Sequence, residues 1–396
     1  MKEFIVTEKL AFFATCPRGL EKFLFEEVKS LKGEKIKVMD GGVSFSGDHD
    51  LMCRFNMMSR FATRLLRRVS YGQYKNEQDL YQAALKVNWI DLFDVNLTIK
   101  VSTTAKQSPL KSIDFVTLRI KDAVCDRFND KFHQRPNVDI RDPDIKIHLF
   151  VDRFNFVLYL DSSGKPLYQR GYRIKSIEAP LKENLAAGIV AMSGWDRDQP
   201  LVDPMCGSGT ILIEAALQAL DIYPGVFRKF GFMKWHDFNE ERFQKIRTEI
   251  KDLRNKKTIK LYGCDTDFRA VNAAVSNVES LKLSKQIEIE QKNFESLSEL
   301  EPHGILITNP PYGVRLNEME DLKEDYQRWG SALKQNFHGW KAYIISNDMN
   351  LPKGMRLNPS KKTPLFNGAL DCRLFEFVMV KGSNRKNQVN EASAES

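Results

Sequence analysis

One stretch limits the choice of fold more than any other. Residues 304–313 read Gly-Ile-Leu-Ile-Thr-Asn-Pro-Pro-Tyr-Gly, an unbroken apolar run that meets an amide, two prolines and an aromatic ring. Ile305, Leu306 and Ile307 do not alternate with polar residues, the pattern of a strand covered on both faces in a parallel sheet. Pro310 and Pro311 end it, because proline has no N–H for a ladder and a fixed φ. Asn309 and Tyr312 then stand at the carboxyl end of a central strand, the edge at which open α/β sheets take ligands. Such a rigid turn offers two carbonyl acceptors, the Asn309 side chain and a backbone C=O, beside a flat ring. It suits a planar group bearing an NH2. The same residues also fit a proline-terminated strand with a surface tyrosine, so the rest of the chain must separate the two.

From Leu201 the chain alternates strand and helix. Leu201-Val202-Asp203-Pro204-Met205-Cys206-Gly207-Ser208-Gly209-Thr210 reads as strand, glycine loop and the start of a helix that runs to Leu220. Glycines let backbone approach a ligand closely, and a helix N-terminus offers free N–H groups. A plain structural turn would look the same. Leu212 stands where a dinucleotide fingerprint has its third glycine, and no G-x-x-x-x-G-K-[ST] occurs, so NAD and ATP are disfavoured. A second strand over 259–265 ends at Asp265 and Thr266, where an acid binds ribose hydroxyls in doubly wound folds. It comes far later than the roughly 20 residues expected. The intervening residues 221–257 are rich in aromatics and charge and read as a helical insertion. Further strands are expected over 286–293, 304–309, 340–347 and 373–380. A phosphate-free loop, a ribose-binding acid and an amine-gripping turn together point to S-adenosylmethionine.

The N-terminal part is α+β. Strands are expected over 4–6 and 10–14, a helix from Cys16-Pro17 to Gly33, and a hairpin over 35–45 turning at Asp40-Gly41-Gly42. Residues 51–76 hold six basic residues and no acidic one. Leu51, Phe55, Met58, Ala62, Leu65 and Val69 predict one apolar helical face. Arg60, Arg64, Arg67 and Arg68 would share another face, as a phosphate-binding stripe or an ordinary solvated surface. Strands over 97–103, 145–152 and 154–160 and a helix over 113–132 complete this part. The net charge is +8. Residues 1–165 carry 27 Lys and Arg against 22 Asp and Glu, the remainder 33 against 30, so the basic excess leans towards the N-terminal part. No window reaches the about 18 apolar residues of a membrane span. Six scattered cysteines without CxxC spacing argue against zinc and disulfides and for a cytoplasmic location. The six dispersed histidines form no ligand pair, so no metal is expected.

Asp203-Pro204-x-x-Gly207-x-Gly209-Thr210, Asp265 and Asn309-Pro310-Pro311-Tyr312 resemble motifs I, II and IV of class I amino-methyltransferases. Together with an N-terminal RNA-binding region they resemble the THUMP-domain RNA methyltransferases, in particular bacterial 23S ribosomal RNA guanine-N2 methyltransferases. Thr15-Cys16-Pro17-Arg18-Gly19-Leu20-Glu21 is similar to that family's ferredoxin-like signature. Arg170-Gly171-Tyr172-Arg173 with residues 179–187 is similar to its junction, and residues 224–235 to its insertion. The resemblance covers residues 1–382. It implies a ferredoxin-like region over 1–50, a THUMP-type domain over 51–165 and a class I, Rossmann-like methyltransferase domain over 166–382. The last would be built on a mostly parallel seven-stranded sheet, followed by a disordered tail over 383–396. It also implies that Asp203, Pro204, Cys206, Gly207, Ser208, Gly209, Thr210, Asp265, Thr266, Asn293, Phe294 and Asn309 surround S-adenosylmethionine. Asn293 departs from the pattern, which often has an acid there for the adenine amino group. Some relatives carry a second methyltransferase domain. The end of this chain leads to the expectation of a single methylation.

The aromatic amine of guanine is a poor nucleophile. Asn309 Oδ1 and the Pro310 carbonyl would accept its two hydrogens and aim the lone pair at the methyl donor, while Tyr312 stacks on an unstacked base. The expected partner is large-subunit ribosomal RNA or an assembly intermediate. A nucleic-acid adenine-N6 methyltransferase, a protein glutamine methyltransferase and a non-catalytic RNA-binding protein stay open as alternatives.

Overall fold

The computed structural model describes residues 9–175, 181–297, 301–311 and 318–380. The expected strand over 4–6, Tyr312 and the tail lie outside the described residues.

The first half builds one sheet. Its elements are β1 (Leu10–Thr15), α1 (Glu21–Ser30), β2 (Glu34–Met39), β3 (Gly42–Gly47), α2 (His49–Met58), β4 (Arg64–Gln73), α3 (Glu77–Leu85), β5 (Ile99–Ala105), α4 (Ile113–Phe132), β6 (Ile145–Val151) and β7 (Asn155–Asp161). The strand order is β2-β3-β1-β4-β7-β6-β5. β4 is the hinge pin of this arrangement. It pairs with β1 over Arg64–Arg67 and with β7 over Leu66–Gln73, so the two α+β units share a continuous ladder. Phe12, Val43, Phe45, Leu149, Leu158 and Leu160 are buried towards the helices. Phe45 meets Phe55 of α2 with ring centroids 5.4 Å apart.

Two expectations fail here. The helix anticipated at Cys16-Pro17 begins only at Glu21. The Cys16 N–H is held by Gly41 O at 3.0 Å, so β-type pairing runs up to the proline and leaves the helix to start four residues after it. The long helix anticipated over 51–69 ends at Met58, with Ser59 extended, and its second half is strand β4. The apolar spacing that suggested one helix face is shared between two elements. Leu66 and Arg67 gain ladder partners on both sides, and that tertiary pairing overrides helical periodicity.

The second half is a doubly wound sheet. α5 (Glu183–Met192) leads into β8 (Leu201–Asp203), α6 (Thr210–Ala219), α7 (Glu240–Asp252), β9 (Leu261–Asp265), α8 (Phe268–Ser280) and β10 (Ile287–Gln291). Then come β11 (Ile305–Thr308), α9 (Glu318–Asn336), β12 (Lys341–Ser346), α10 (Leu351–Gly354), β13 (Lys361–Asn367) and β14 (Leu370–Val378). The order is β10-β9-β8-β11-β12-β14-β13, parallel except for β14, which runs against both neighbours. β8 and β11 are buried at every position, including the polar residues Asp203 and Thr308 that end them. β13, like β4, lacks a strand signal in the sequence. Lys361, Lys362 and Pro364 read as loop, and an edge strand paired only to β14 tolerates all three.

The halves are packed on each other through a shared core that includes Leu20, Leu24, Phe55, Leu185 and Leu212. A Cβ on Gly188 would stand 2.4 Å from Leu20 Cδ2, so only glycine lets α5 approach this close. The insertion over 221–257 supplies α7, which lies against α2, and an aromatic cluster of Phe230, Phe232, Phe238 and Phe243. Among the described residues no helix is long and apolar enough to cross a membrane, and no group of His, Cys, Asp or Glu could hold a metal ion.

Candidate active site

Three parallel strands end side by side at the point where the chain reverses its winding. From β8 the chain moves outward to β9 and β10, then crosses back to β11 on the other side. A crevice opens at such a switch point, outside the carboxyl ends.

β8 delivers Asp203 into this edge and the loop over 204–209 follows. Gly207 and Gly209 have φ of 54° and 79°, values that disfavour side chains. A Cβ on Gly209 would also meet Ala274 Cβ at 3.3 Å. The Cys206 N–H bonds Cys264 O at 2.9 Å and the Gly209 N–H bonds Cys206 O at 2.8 Å, which folds the loop over the end of β9. Gly209 is the N-cap of α6 and offers no side-chain cap. The free N–H groups of the first turn therefore face the crevice edge.

Asp265 ends β9 and is half-buried. Its Oδ2 accepts the Gly207 N–H at 2.9 Å and its Oδ1 the Asp267 N–H at 3.0 Å. Each oxygen keeps a second lone pair for a hydroxyl. Thr266 is exposed beside it. At the end of β10, Lys292 N–H bonds Asp265 O at 3.2 Å, which brings Asn293 close to the same edge. Asn293 is exposed. Phe294 instead is buried, its ring 5.6 Å from that of Phe337.

Asp203 is almost inaccessible, and its Oδ1 accepts Thr308 Oγ1 at 2.8 Å. The carboxylate thus ties the end of β8 to the end of β11. Burial pushes its pKa up to about 7, with the Thr308 and Met205 donors pulling the other way. Asn309 follows β11 half-buried, Pro310 is buried and Pro311 exposed. Asn309 therefore stands one strand away from the glycine loop, on the same edge.

The four arginines expected to form a stripe have separate surroundings. Arg60 is buried, donates to Ile222 O at 3.0 Å and lies 4.8 Å from the Tyr223 ring centroid. Arg64 pairs with the buried Asp161. Arg67 is buried between Asp237, at 2.6 Å, and the Trp235 ring. Only Arg68 is exposed, 4.2 Å from the Tyr71 ring centroid. A strand sends neighbouring residues to opposite faces, so the helical grouping does not exist.

Residues 172–175 lie along the outer side of the glycine loop. Arg173 reaches Thr210 Oγ1, and Asn277 of α8 reaches Ser208 O. Neither was singled out for a role by sequence. Asn277 is one polar residue in a helix, and only its complete burial marks it.

A family model for the RMKL-like methyltransferase domain matches residues 170–376. A THUMP domain matches residues 74–161, and the RlmL ferredoxin-like domain residues 11–66. The chain belongs to the RMKL-like methyltransferase family. It is 38% identical over 370 residues to a Synechocystis sp. protein named as an RNA methyltransferase, covering 93% of this chain and 96% of that one. It is also 38% identical over 394 residues to the ribosomal RNA large subunit methyltransferase K/L of Aeromonas hydrophila. That match covers 94% of this chain and 55% of the relative, so the chain spans about half the length of such K/L proteins. Among solved structures, the methyltransferase SMU.472 complexed with S-adenosylhomocysteine superposes with a TM-score of 0.85 at 27% identity, covering 96% of this chain and 100% of that one. A Listeria monocytogenes protein named as an N6-adenine-specific DNA methylase gives 0.85 at 27%, covering 94% and 97%.

The cofactor of this RMKL-like enzyme is S-adenosylmethionine. The crevice fits it: two glycines with positive φ open the backbone, and a half-buried carboxylate keeps acceptor capacity. No phosphate-binding motif is present to favour a nucleotide instead.

Proposed function

We propose that this protein methylates RNA, and specifically the exocyclic 2-amino group of a guanine in large-subunit ribosomal RNA. The observation that carries the reading is the Asn309-Pro310-Pro311 turn beside the glycine loop, in a chain that also holds a THUMP domain. The K/L names of relatives support the ribosomal substrate.

S-adenosylmethionine supplies a methyl group on a positively charged sulfur. Asp265 would hold the ribose hydroxyls, and the backbone of Cys206, Gly207, Ser208 and Gly209 would lie along the rest. Asn293 and Phe294 would border the adenine end. Asp203 and Thr308 fix β8 against β11 and so set the distance between loop and turn. Asn309 Oδ1 and Pro310 O accept the two hydrogens of the amine, which turns its lone pair towards the crevice. Tyr312, outside the described residues, would stack on the base as the family resemblance implies. The effect is positioning plus electrostatics. On the RNA side, the exposed Arg68 beside Tyr71 offers a charge and a stacking ring on the sheet face opposite the helices.

The expected product is 2-methylguanine in large-subunit RNA, read by nucleoside mass spectrometry of RNA from cells lacking the protein and from cells with it restored. Asn309→Ala should lower turnover by roughly 10²-fold or more with cofactor affinity far less changed. A second reading, N6-methylation of adenine, has the name of the Listeria structure in its favour. Appearance of 6-methyladenine would replace the guanine assignment with that one.

A further inference from the structure

We propose that Arg173 and Asn277 are positioning residues for the cofactor loop, acting through a strap made of residues 172–175. The inference rests on the reading that residues 203–210 hold S-adenosylmethionine.

A loop with two positive-φ glycines has many conformations to lose, and a ligand that orders it spends affinity doing so. This loop is braced from outside at two points. The Arg173 guanidinium donates to Thr210 Oγ1 at 3.1 Å and to Leu181 O at 3.0 Å, while its Nε faces Glu183 Oε1 at 3.3 Å. Two hydrogen-bond acceptors and one ion-pair partner hold the planar fork. Asn277 is fully buried and uses both ends of its amide. Its Oδ1 accepts the Ile174 and Lys175 N–H groups at 2.9 and 3.2 Å. Its Nδ2 donates to Ser208 O and Lys175 O, both at 3.1 Å. Ser280, also on α8, donates to Tyr172 O at 3.2 Å. The strap is thus nailed to α8 and to the loop by side chains with no spare capacity at the amide.

The consequence is a division of labour within the loop. The Ser208 carbonyl is engaged by Asn277 of α8 and the Thr210 hydroxyl by Arg173 of the strap. Ligand contact is left to the backbone N–H groups and to Asp265. Arg173 and Asn277 touch no substrate in this arrangement and act through Ser208 and Thr210.

A purely structural strap would make the same contacts, so the test must read ligand affinity separately from folding. Arg173→Met, Arg173→Lys and Thr210→Val are made in the full chain, and S-adenosylhomocysteine binding is measured by calorimetry alongside melting without ligand. Arg173→Met is expected to weaken affinity about tenfold, the size of one hydrogen bond to a charged group. The loss should appear in KM for S-adenosylmethionine rather than in kcat, and Arg173→Lys should recover part of it. If Arg173→Met does not fold, Thr210→Val removes only the acceptor and should weaken affinity in the same sense. Asp265→Ala serves as the control for the site itself. Unchanged affinity in Asp265→Ala would overturn the location of the site. Weakened affinity there, with affinity unchanged in Arg173→Met or Thr210→Val and only melting lowered, would leave the strap a structural brace and end this inference.

Discussion

At the scale of single residues, Asp203 is the group whose environment departs most usefully from water. It is fully buried, its hydrogen bonds come from a hydroxyl and an amide rather than a cation, and burial lifts its pKa from 3.8 to about 7. The folded chain therefore keeps this proton at pH values where the unfolded chain has lost it. Between those two values unfolding releases a proton, so this group makes the protein less stable as pH rises, and above about 7 its effect levels off. Asn at this position keeps an acceptor for Thr308 and has no proton to lose. Asp203→Asn should gain stability relative to the parent as pH rises through this window, measured by urea unfolding over a pH series. Parallel curves for the two proteins would show that Asp203 is ionised in the fold. Asp203 is the last residue of β8, and its bond with Thr308 at the end of β11 sets the spacing of the two strands.

At the scale of elements, β4 decides what the arginines can do. A strand flanked on both sides turns alternate residues into a helix-covered face and an open face. Arg67 falls on the covered side with Asp237 and Trp235, while Arg68 falls on the open side. The two arginines, adjacent in sequence, should respond oppositely to neutralisation. Arg68→Gln is expected to lower the slope of RNA affinity against salt by about 1 with little change in stability. Arg67→Gln should leave that slope alone and cost roughly 1–3 kcal/mol of stability, because Asp237 loses a charged donor. Filter binding at several salt concentrations and denaturant unfolding separate the two outcomes. Equal slopes for Arg68→Gln and the parent would take the open face of β4 out of the RNA surface.

At the scale of the whole molecule, the halves are joined by buried charge as well as by apolar packing. Arg170 donates to Arg60 O and to Leu167 O, and lies 3.5 Å from Glu214 of α6. Arg60 in turn caps Ile222 O. Burial pushes the Glu214 carboxyl up, and Arg170 and Arg60 draw it back. Arg170→Met should lose about 3–5 kcal/mol, because the buried Glu214 loses its nearest cation and keeps only Arg60 and the Tyr172 hydroxyl. Arg170→Met with Glu214→Leu should recover much of that loss. Denaturant unfolding of the single and double variants checks it, and an equal loss in both would mean that the arginine acts through its backbone acceptors instead.

What the sequence by itself determined were features written in backbone chemistry. Glycines that must take positive φ, prolines that must end a strand and an apolar run too short for a helix each constrain the chain locally. They placed Gly207, Gly209, Asp265 and Asn309 on strand ends before any contact was known. The helix over 113–132 was legible for the same reason, since its Ser112 cap and apolar stripe are local. What only the tertiary structure decided were the partners of long side chains and the strands that borrow their order from neighbours. Arg60, Arg64 and Arg67 are satisfied by residues about 100 or more positions away, and no local spacing encodes that. β4 is a strand because β1 and β7 flank it, and β13 because β14 offers an edge. Arg173 and Asn277 meet the loop only once two helices and a linker are stacked on it, so their role is a property of packing.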